Sequence, residues 1–153
     1  MNINFIKKIL NQEIYDVGRT SDMCWFIFGS KHDREKDVFY SLHLQCPWRI
    51  RKGNTIVLSN LDIYELPSEV LATDKEWDDT KRNLFDEKAE SFLKSGGKKV
   101  DSVFITEMND LAIFLSDSSI IECFVNDLKY ECWRFFKKGD KQHLVVTGAG
   151  IEK

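Results

Sequence analysis

The sequence is poor in the residues and runs that mark several common classes of protein. It has only two prolines, three histidines and four cysteines among 153 residues, and no two cysteines have the spacing of a CxxC pair. The longest uninterrupted apolar run is residues 23–28, far shorter than the roughly 20 residues that span a bilayer. The N-terminal residues lack the apolar region of a signal peptide. These absences predict a soluble, cytoplasmic protein whose cysteines are buried, free thiols.

An excess of charge of either sign is also missing. Charged residues make up 31% of the chain, but their signs nearly cancel. There are 22 lysines and arginines and 25 aspartates and glutamates, which gives a net charge of −3. The isoelectric point is about 5.7. Because no global basic field would attract a polyanion, the composition argues against a nucleic-acid partner.

Signatures of familiar chemistries are absent as well. The sequence contains no phosphate-binding GxxxxGK[ST] loop, no GxSxG nucleophile motif and no HExxH pair. Gly148 and Gly150 resemble the start of a dinucleotide loop, but too few residues follow to form the helix that would hold a pyrophosphate. We therefore predict no cofactor, no metal site and no catalytic residue, and a binding protein rather than an enzyme.

One long alternating segment is the clearest structural signal. Between residues 38 and 51, apolar side chains alternate with mainly polar ones, which predicts a strand with one core face. Pro47 cannot donate a hydrogen bond to a neighbouring strand, so it indicates an edge position or a bulge. Residues 52–54 favour a turn, and residues 55–59 are predicted to return as the second strand of a hairpin.

Helices and further strands complete the predicted fold. Residues 5–10 have the spacing of a short amphipathic helix, and residues 80–95 have the strongest helical pattern, with Asp79 or Thr80 as its N-cap. From residue 103 to 147, short apolar segments separated by turn residues predict consecutive antiparallel strands. We predict an α+β fold over the whole chain, with a single, mainly antiparallel sheet of about six to eight strands and one or two packed helices.

Polar side chains on the long strand form a first candidate site. Ser41, His43, Gln45 and Arg49 share the side opposite the core residues, and imidazole and guanidinium groups together bind anions or transfer protons. A solvated sheet face is the competing interpretation. Arg134 lies among aromatic residues, which predicts a carboxylate partner or a cavity. Together with a C-terminal histidine these positions predict an alternative ligand-binding face, comprising His43, Gln45, Arg49, Arg134 and His143.

An acidic segment forms the second candidate site. Acidic residues outnumber basic ones between positions 73 and 90, and a tryptophan lies among them. An acidic loop that exposes a tryptophan suits a basic protein surface, although a solvated loop has the same composition. The residues predicted to contact a protein partner are Asp74, Glu76, Trp77, Asp78 and Asp79.

Three segments carry a resemblance to a known family, namely HLQCPWRI at residues 43–50, ECWRFF at residues 131–136 and HLVVTGAGIE at residues 143–152. They resemble a family of small, stand-alone bacterial proteins of uncharacterised function. In general type the chain is similar to bacterial toxin immunity proteins, which implies a cognate toxin domain as partner and no catalysis. We therefore predict a non-enzymatic protein-binding domain that neutralises a toxin by direct binding. The alternative is a small-ligand-binding domain or a small enzyme.

Overall fold

The computed structural model describes residues 1–68 and 81–152. Within these residues the chain forms strands, two α-helices and two 3-10 helices. The strands are β1 (Glu13–Thr20), β2 (Met23–Gly29), β3 (Tyr40–Leu44), β4 (Trp48–Lys52), β5 (Thr55–Ser59), β6 (Val100–Ile105), β7 (Leu111–Leu115), β8 (Ser119–Cys123), β9 (Trp133–Lys137), β10 (Leu144–Thr147) and β11 (Gly150–Ile151). The helices are α1 (Lys31–Glu35), α2 (Leu84–Lys94) and the 3-10 helices Ile3–Ile9 and Asn60–Tyr64.

The strands form two sheets, and their pairings are antiparallel. The six-stranded sheet has the order β1-β2-β3-β9-β10-β11, and the five-stranded sheet has the order β5-β4-β8-β7-β6. The predicted α+β class with antiparallel strands is confirmed, whereas the prediction of a single sheet is wrong. In the part of the chain described, no helix has the length and apolarity to cross a membrane.

The long alternating segment passes from one sheet into the other. Its first half is β3 of the six-stranded sheet, and its second half is β4 of the five-stranded sheet. At the bend the backbone N–H of Gln45 donates to the carbonyl of Cys132 (2.9 Å), and that of Phe124 donates to the carbonyl of Pro47 (3.0 Å). Alternating burial continues through the bend. A period of two residues shows which face is buried but not which strands are neighbours, so the sequence pattern concealed the change of sheet.

The two sheets are joined a second time, near the start of β1. Glu13 forms a bridge with Lys99, and Val100 exchanges backbone hydrogen bonds of 2.9 Å with Asn11 and Gln12. One hydrophobic cluster draws buried residues from both sheets and from α2. Trp48 belongs to this cluster and makes edge-on contacts with Phe26 of the six-stranded sheet and Phe85 of α2.

Both predicted helices are present, with differences at their ends. The N-terminal one is a 3-10 helix, and Asn2 caps it through a bond from the backbone of Asn4. Helix α2 begins after Asn83 rather than after Asp79 or Thr80. The Asn83 and Asp86 side chains accept each other's backbone N–H groups in a capping box. The short helix α1, which follows β2, was not predicted from the sequence.

Candidate functional site

Four of the five residues of the predicted ligand-binding face meet on the outer surface of the six-stranded sheet. His43 of β3 is the cross-strand partner of Arg134 of β9, and side chains in such pairs are direct neighbours. Gln45 and His143 lie beside this pair, where they make the contacts described below. We call this surface the histidine face, made of His43, Gln45, Glu131, Arg134, Phe136 and His143.

Glu131 is the centre of the hydrogen bonds on the histidine face. Arg134 donates to it from Nε (3.0 Å to Oε1) and from Nη2 (2.7 Å to Oε2), and Gln45 donates from Nε2 over 3.2 Å. The bond with Glu131 raises the pKa of Arg134 above its ordinary value. The carboxylate partner predicted for Arg134 is therefore confirmed, and the ion pair fixes the guanidinium in place.

His143 is held between the same arginine and an aromatic ring. Its Nδ1 lies 3.0 Å from Nη1 of Arg134, and its Nε2 lies 3.2 Å from the carbonyl of Asp140. Because a guanidinium only donates, Nδ1 accepts and the proton is assigned to Nε2. The imidazole stacks on Phe136, with ring centroids 4.2 Å apart. These contacts occupy both ring nitrogens of His143.

His43 is the member of the histidine face that makes the fewest polar contacts. Its ring meets Phe136 edge-on at 5.0 Å, and its nitrogens hydrogen-bond to no other residue within the described ranges. Burial lowers the pKa of His43 below its ordinary value, and the charge of Arg134 and the neighbouring His143 act in the same direction, whereas Glu131 opposes them. His43 is therefore neutral at physiological pH and has polar atoms available to a ligand.

The lowered pKa of His43 predicts a loss of stability in mild acid. The unfolded chain takes up this proton more readily than the folded protein, so the contribution is complete above the ordinary pKa of about 6.5 and declines as the pH falls below it. We expect the free energy of unfolding, measured in urea, to fall more steeply between about pH 7.5 and pH 5 for the wild type than for His43→Gln. The exposed His32 provides the matched control, His32→Gln, which should keep the wild-type slope. Parallel curves for His43→Gln and the wild type would contradict the prediction.

Arg49, the fifth predicted residue, does not join the histidine face. It follows the bend and therefore lies on the outer surface of the five-stranded sheet, where its Nε donates to Oε1 of Glu122 over 3.0 Å. Nε of Arg51 donates to the same oxygen over 2.7 Å. We call this surface the arginine face, made of Arg49, Arg51, Glu122 and the apolar residues around them, Ile56, Phe104, Phe114 and Phe124.

The residues of the acidic segment that are predicted to contact a protein partner lie outside the described residues, and their role stays a prediction from the sequence. They are Asp74, Glu76, Trp77, Asp78 and Asp79.

The cysteines are buried, and the potential metal ligands among the described residues are not grouped. All four cysteines are buried and unpaired, as predicted, and burial raises the pKa of the Cys24 thiol to about 12, so it is not a nucleophile at neutral pH. Within residues 1–68 and 81–152, no group of three or more His, Cys, Asp or Glu side chains is placed to hold a metal ion. The polar groups that do converge mostly bind one another.

Comparison with known proteins assigns no role to this chain, so the role proposed below rests on the geometry of the two faces. No family model, curated protein or solved structure matches the chain.

The polar pattern of the long strand indicated Arg49 as a site residue, but Arg51 and Glu122 were not predicted. The available signal was strand parity, since residues 49 and 51 share a side of one predicted strand and residue 122 faces outward in another.

Proposed function

We propose that this chain is a non-enzymatic, cytoplasmic protein-binding domain of the immunity type, which neutralises a toxin by direct binding. The observation that carries the proposal is the arginine face, where exposed apolar side chains lie beside charged groups on the outer surface of the five-stranded sheet. Arginine and aromatic residues are enriched among the residues that dominate binding energy in protein interfaces.

The apolar part of the arginine face is extensive. Phe104, Ala112, Glu122 and Arg49 are successive cross-strand neighbours on β6, β7, β8 and β4, so their side chains share the outer surface. Phe104 is 61% exposed and packs edge-on against Phe114 at a centroid distance of 5.4 Å.

The apolar surface continues on the other side of the arginines. Ile56 is 55% exposed and Phe124 is 38% exposed. Ile56 is the cross-strand partner of Arg51, and the guanidinium of Arg49 lies over the ring of Phe124, 5.4 Å from its centroid. Several large apolar side chains exposed on one surface are typical of interaction sites in soluble proteins.

A second candidate function is small-ligand binding at the histidine face. The observation that favours it is the half-buried His43, whose ring nitrogens are uncommitted within the described residues beside the fixed guanidinium of Arg134. General acid or base catalysis there would need a proton carrier next to a bound substrate. Glu131, Arg134 and His143 are already engaged with each other, so we rank this function below protein binding.

The proposed function is tested by producing the protein together with a toxin domain encoded beside its gene. We expect rescue of growth, and a one-to-one complex in size-exclusion chromatography. The expected dissociation constant is about 10⁻⁷–10⁻¹⁰ M, the range of natural antibody–antigen complexes with interfaces of standard size. Absence of both rescue and complex at micromolar concentrations would reject the proposal.

Two variants locate the binding surface once a complex is found. Reversal of charge at Asp74, Glu76, Asp78 and Asp79 should weaken the complex if the acidic segment contacts the toxin, because complementary charge would become repulsion. His43→Gln should leave the complex unchanged and would weaken it only if the partner occupies the histidine face.

A further inference from the structure

The two arginines of the arginine face share a single carboxylate. Glu122 lies directly across from Arg49 and diagonally across from Arg51, and one of its oxygens accepts from the Nε atoms of both. Burial alone would raise the pKa of Glu122, but the hydrogen bonds from the two arginines hold it below its ordinary value. The carboxylate is therefore ionised, and two guanidinium charges face one negative charge.

The positive charge left over is accessible. Within residues 1–68 and 81–152, neither arginine has a second carboxylate within 4 Å. The side chain of Arg49 is 42% exposed and that of Arg51 is 35% exposed, whereas Glu122 is 17% exposed. Arg51 also donates from Nη1 to the carbonyl of Gly53, while the terminal nitrogens of Arg49 hydrogen-bond to no described residue. Arg49 thus presents two uncommitted donor groups to solvent.

The surface around these donors suits an acidic side chain, because its methylene groups would contact apolar residues. Arg49, Arg51 and Glu122 form one side of a depression of about 430 Å³, and the turn at residues 53–54 and the start of β5 form the other. Ile56 lines that depression, and the Phe124 ring lies under the guanidinium of Arg49. An acidic side chain that enters would meet hydrogen-bond donors at its carboxylate oxygens and carbon atoms along its methylene groups.

We propose that the arginine face binds an acidic side chain of the partner protein that is flanked by apolar residues. The proposal rests on the proposed protein-binding function and names the chemistry of the partner. Arg49 would donate to the incoming carboxylate through charge-assisted hydrogen bonds, which are stronger than neutral ones. The apolar neighbours of that carboxylate would cover Ile56 and Phe124, which excludes water from the contact and strengthens it.

Charge complementarity favours a carboxylate on a protein over a polyanion. The local excess is a single positive charge beside apolar side chains, whereas nucleic acids are bound by many basic groups along a groove. The chain as a whole carries a net charge of −3, which repels a polyanion at long range. One acidic side chain in an otherwise apolar partner surface matches both the single excess positive charge and the apolar side chains beside the arginines.

The test uses two blocked tripeptides, Leu-Glu-Phe and Leu-Gln-Phe, added to isotope-labelled full-length protein. Their effect is followed by nuclear magnetic resonance on the Nε–H signals of Arg49 and Arg51. We expect the glutamate peptide to shift both signals saturably. The glutamine peptide should bind at least about tenfold more weakly, since charge-assisted bonds are about twice as strong as neutral ones.

Three variants test the proposal, because they are expected to change the affinity for the glutamate peptide in different directions. Arg49→Gln should weaken binding of the glutamate peptide by about tenfold or more. Glu122→Gln removes the competing carboxylate and should tighten binding by about two- to fivefold, which is the range of an exposed ion pair. Arg82→Gln, which removes an exposed arginine paired with Glu90 on α2, should change nothing.

Several results would overturn this assignment. Equal binding of the two peptides, or signals that do not move, would show that no carboxylate is recognised. A response to inorganic phosphate but not to the glutamate peptide would show a small-anion site instead. A toxin complex that Arg49→Gln leaves unchanged would reject the assigned surface while the protein-binding function stands. If the glutamate peptide binds but no toxin complex forms, the carboxylate site stands and the immunity function is wrong.

Discussion

Replacing Trp133 with alanine is expected to lower the free energy of unfolding by about 3–5 kcal/mol, as for other large buried aromatics. Trp133 of β9 is fully buried, and its indole N–H donates to the carbonyl of Asn109 over 2.9 Å. Asn109 lies between β6 and β7, so this one side chain joins the six-stranded sheet to a turn of the five-stranded sheet. Truncation would open a cavity and leave a carbonyl without its donor.

The measurement is urea unfolding followed by circular dichroism, and two variants separate the contributions. Trp133→Phe keeps most of the apolar volume and should lose about 1–3 kcal/mol, which reflects chiefly the missing hydrogen bond. Trp25→Ala is the matched control, because Trp25 also donates one indole bond, to Asp16, but lies half-buried on an outer face. A loss at Trp133 no larger than the loss at Trp25 would show that the two sheets do not depend on this contact.

The sequence predicted the strands whose burial alternates without interruption. Consecutive strands were predicted between residues 103 and 147, and β7 is one of them, with a burial pattern that alternates throughout. The hairpin of β4 and β5 is also confirmed. The strand β1 was missed because it contains a β-bulge between Ile14 and Asp16. Its buried residues, Ile14 and Val17, are therefore three positions apart, and a period of two does not detect them.

The candidate sites depended on contacts that local patterns do not contain. Strand parity placed His43 and Arg49 on the same outward side, which is correct for each residue taken alone. The bend at Pro47 then carries them onto different sheets, so His43 meets Arg134 and Arg49 meets Glu122. Partners so far apart in sequence are selected by the packing of the whole core, and no alternation within a single strand reveals them.

A buried ammonium group joins the end of α2 to the five-stranded sheet. Lys98 is 2% exposed, and its Nζ donates to Oγ of Ser95 (2.8 Å) and to the carbonyl of Gly96 (2.9 Å). The same nitrogen lies 3.7 Å from Oδ2 of Asp117 and 4.6 Å from the centroid of the Phe92 ring. Cations are favoured at a helix C-terminus, where unpaired carbonyls concentrate negative partial charge.

Lys98→Met is expected to lower the free energy of unfolding by about 2–4 kcal/mol in urea titrations. Replacing a buried charge by an apolar side chain of similar size can stabilise a protein when its partner is removed as well. Here the partners remain, because two of the three ammonium donors bind oxygens at the end of α2 that methionine cannot satisfy.

Two further variants apportion that loss. Asp117→Asn keeps the oxygen that caps the N–H of Ser119 and removes only the distant ion pair, so it should cost less than about 1 kcal/mol. Lys94→Met, at an exposed lysine paired with Glu90, should change stability by less than about 0.5 kcal/mol. A Lys98→Met protein as stable as the wild type would mean that the buried ammonium does not contribute to the free energy of unfolding. The expected loss would show that the hydrogen bonds of Lys98 stabilise the end of α2 against the sheet.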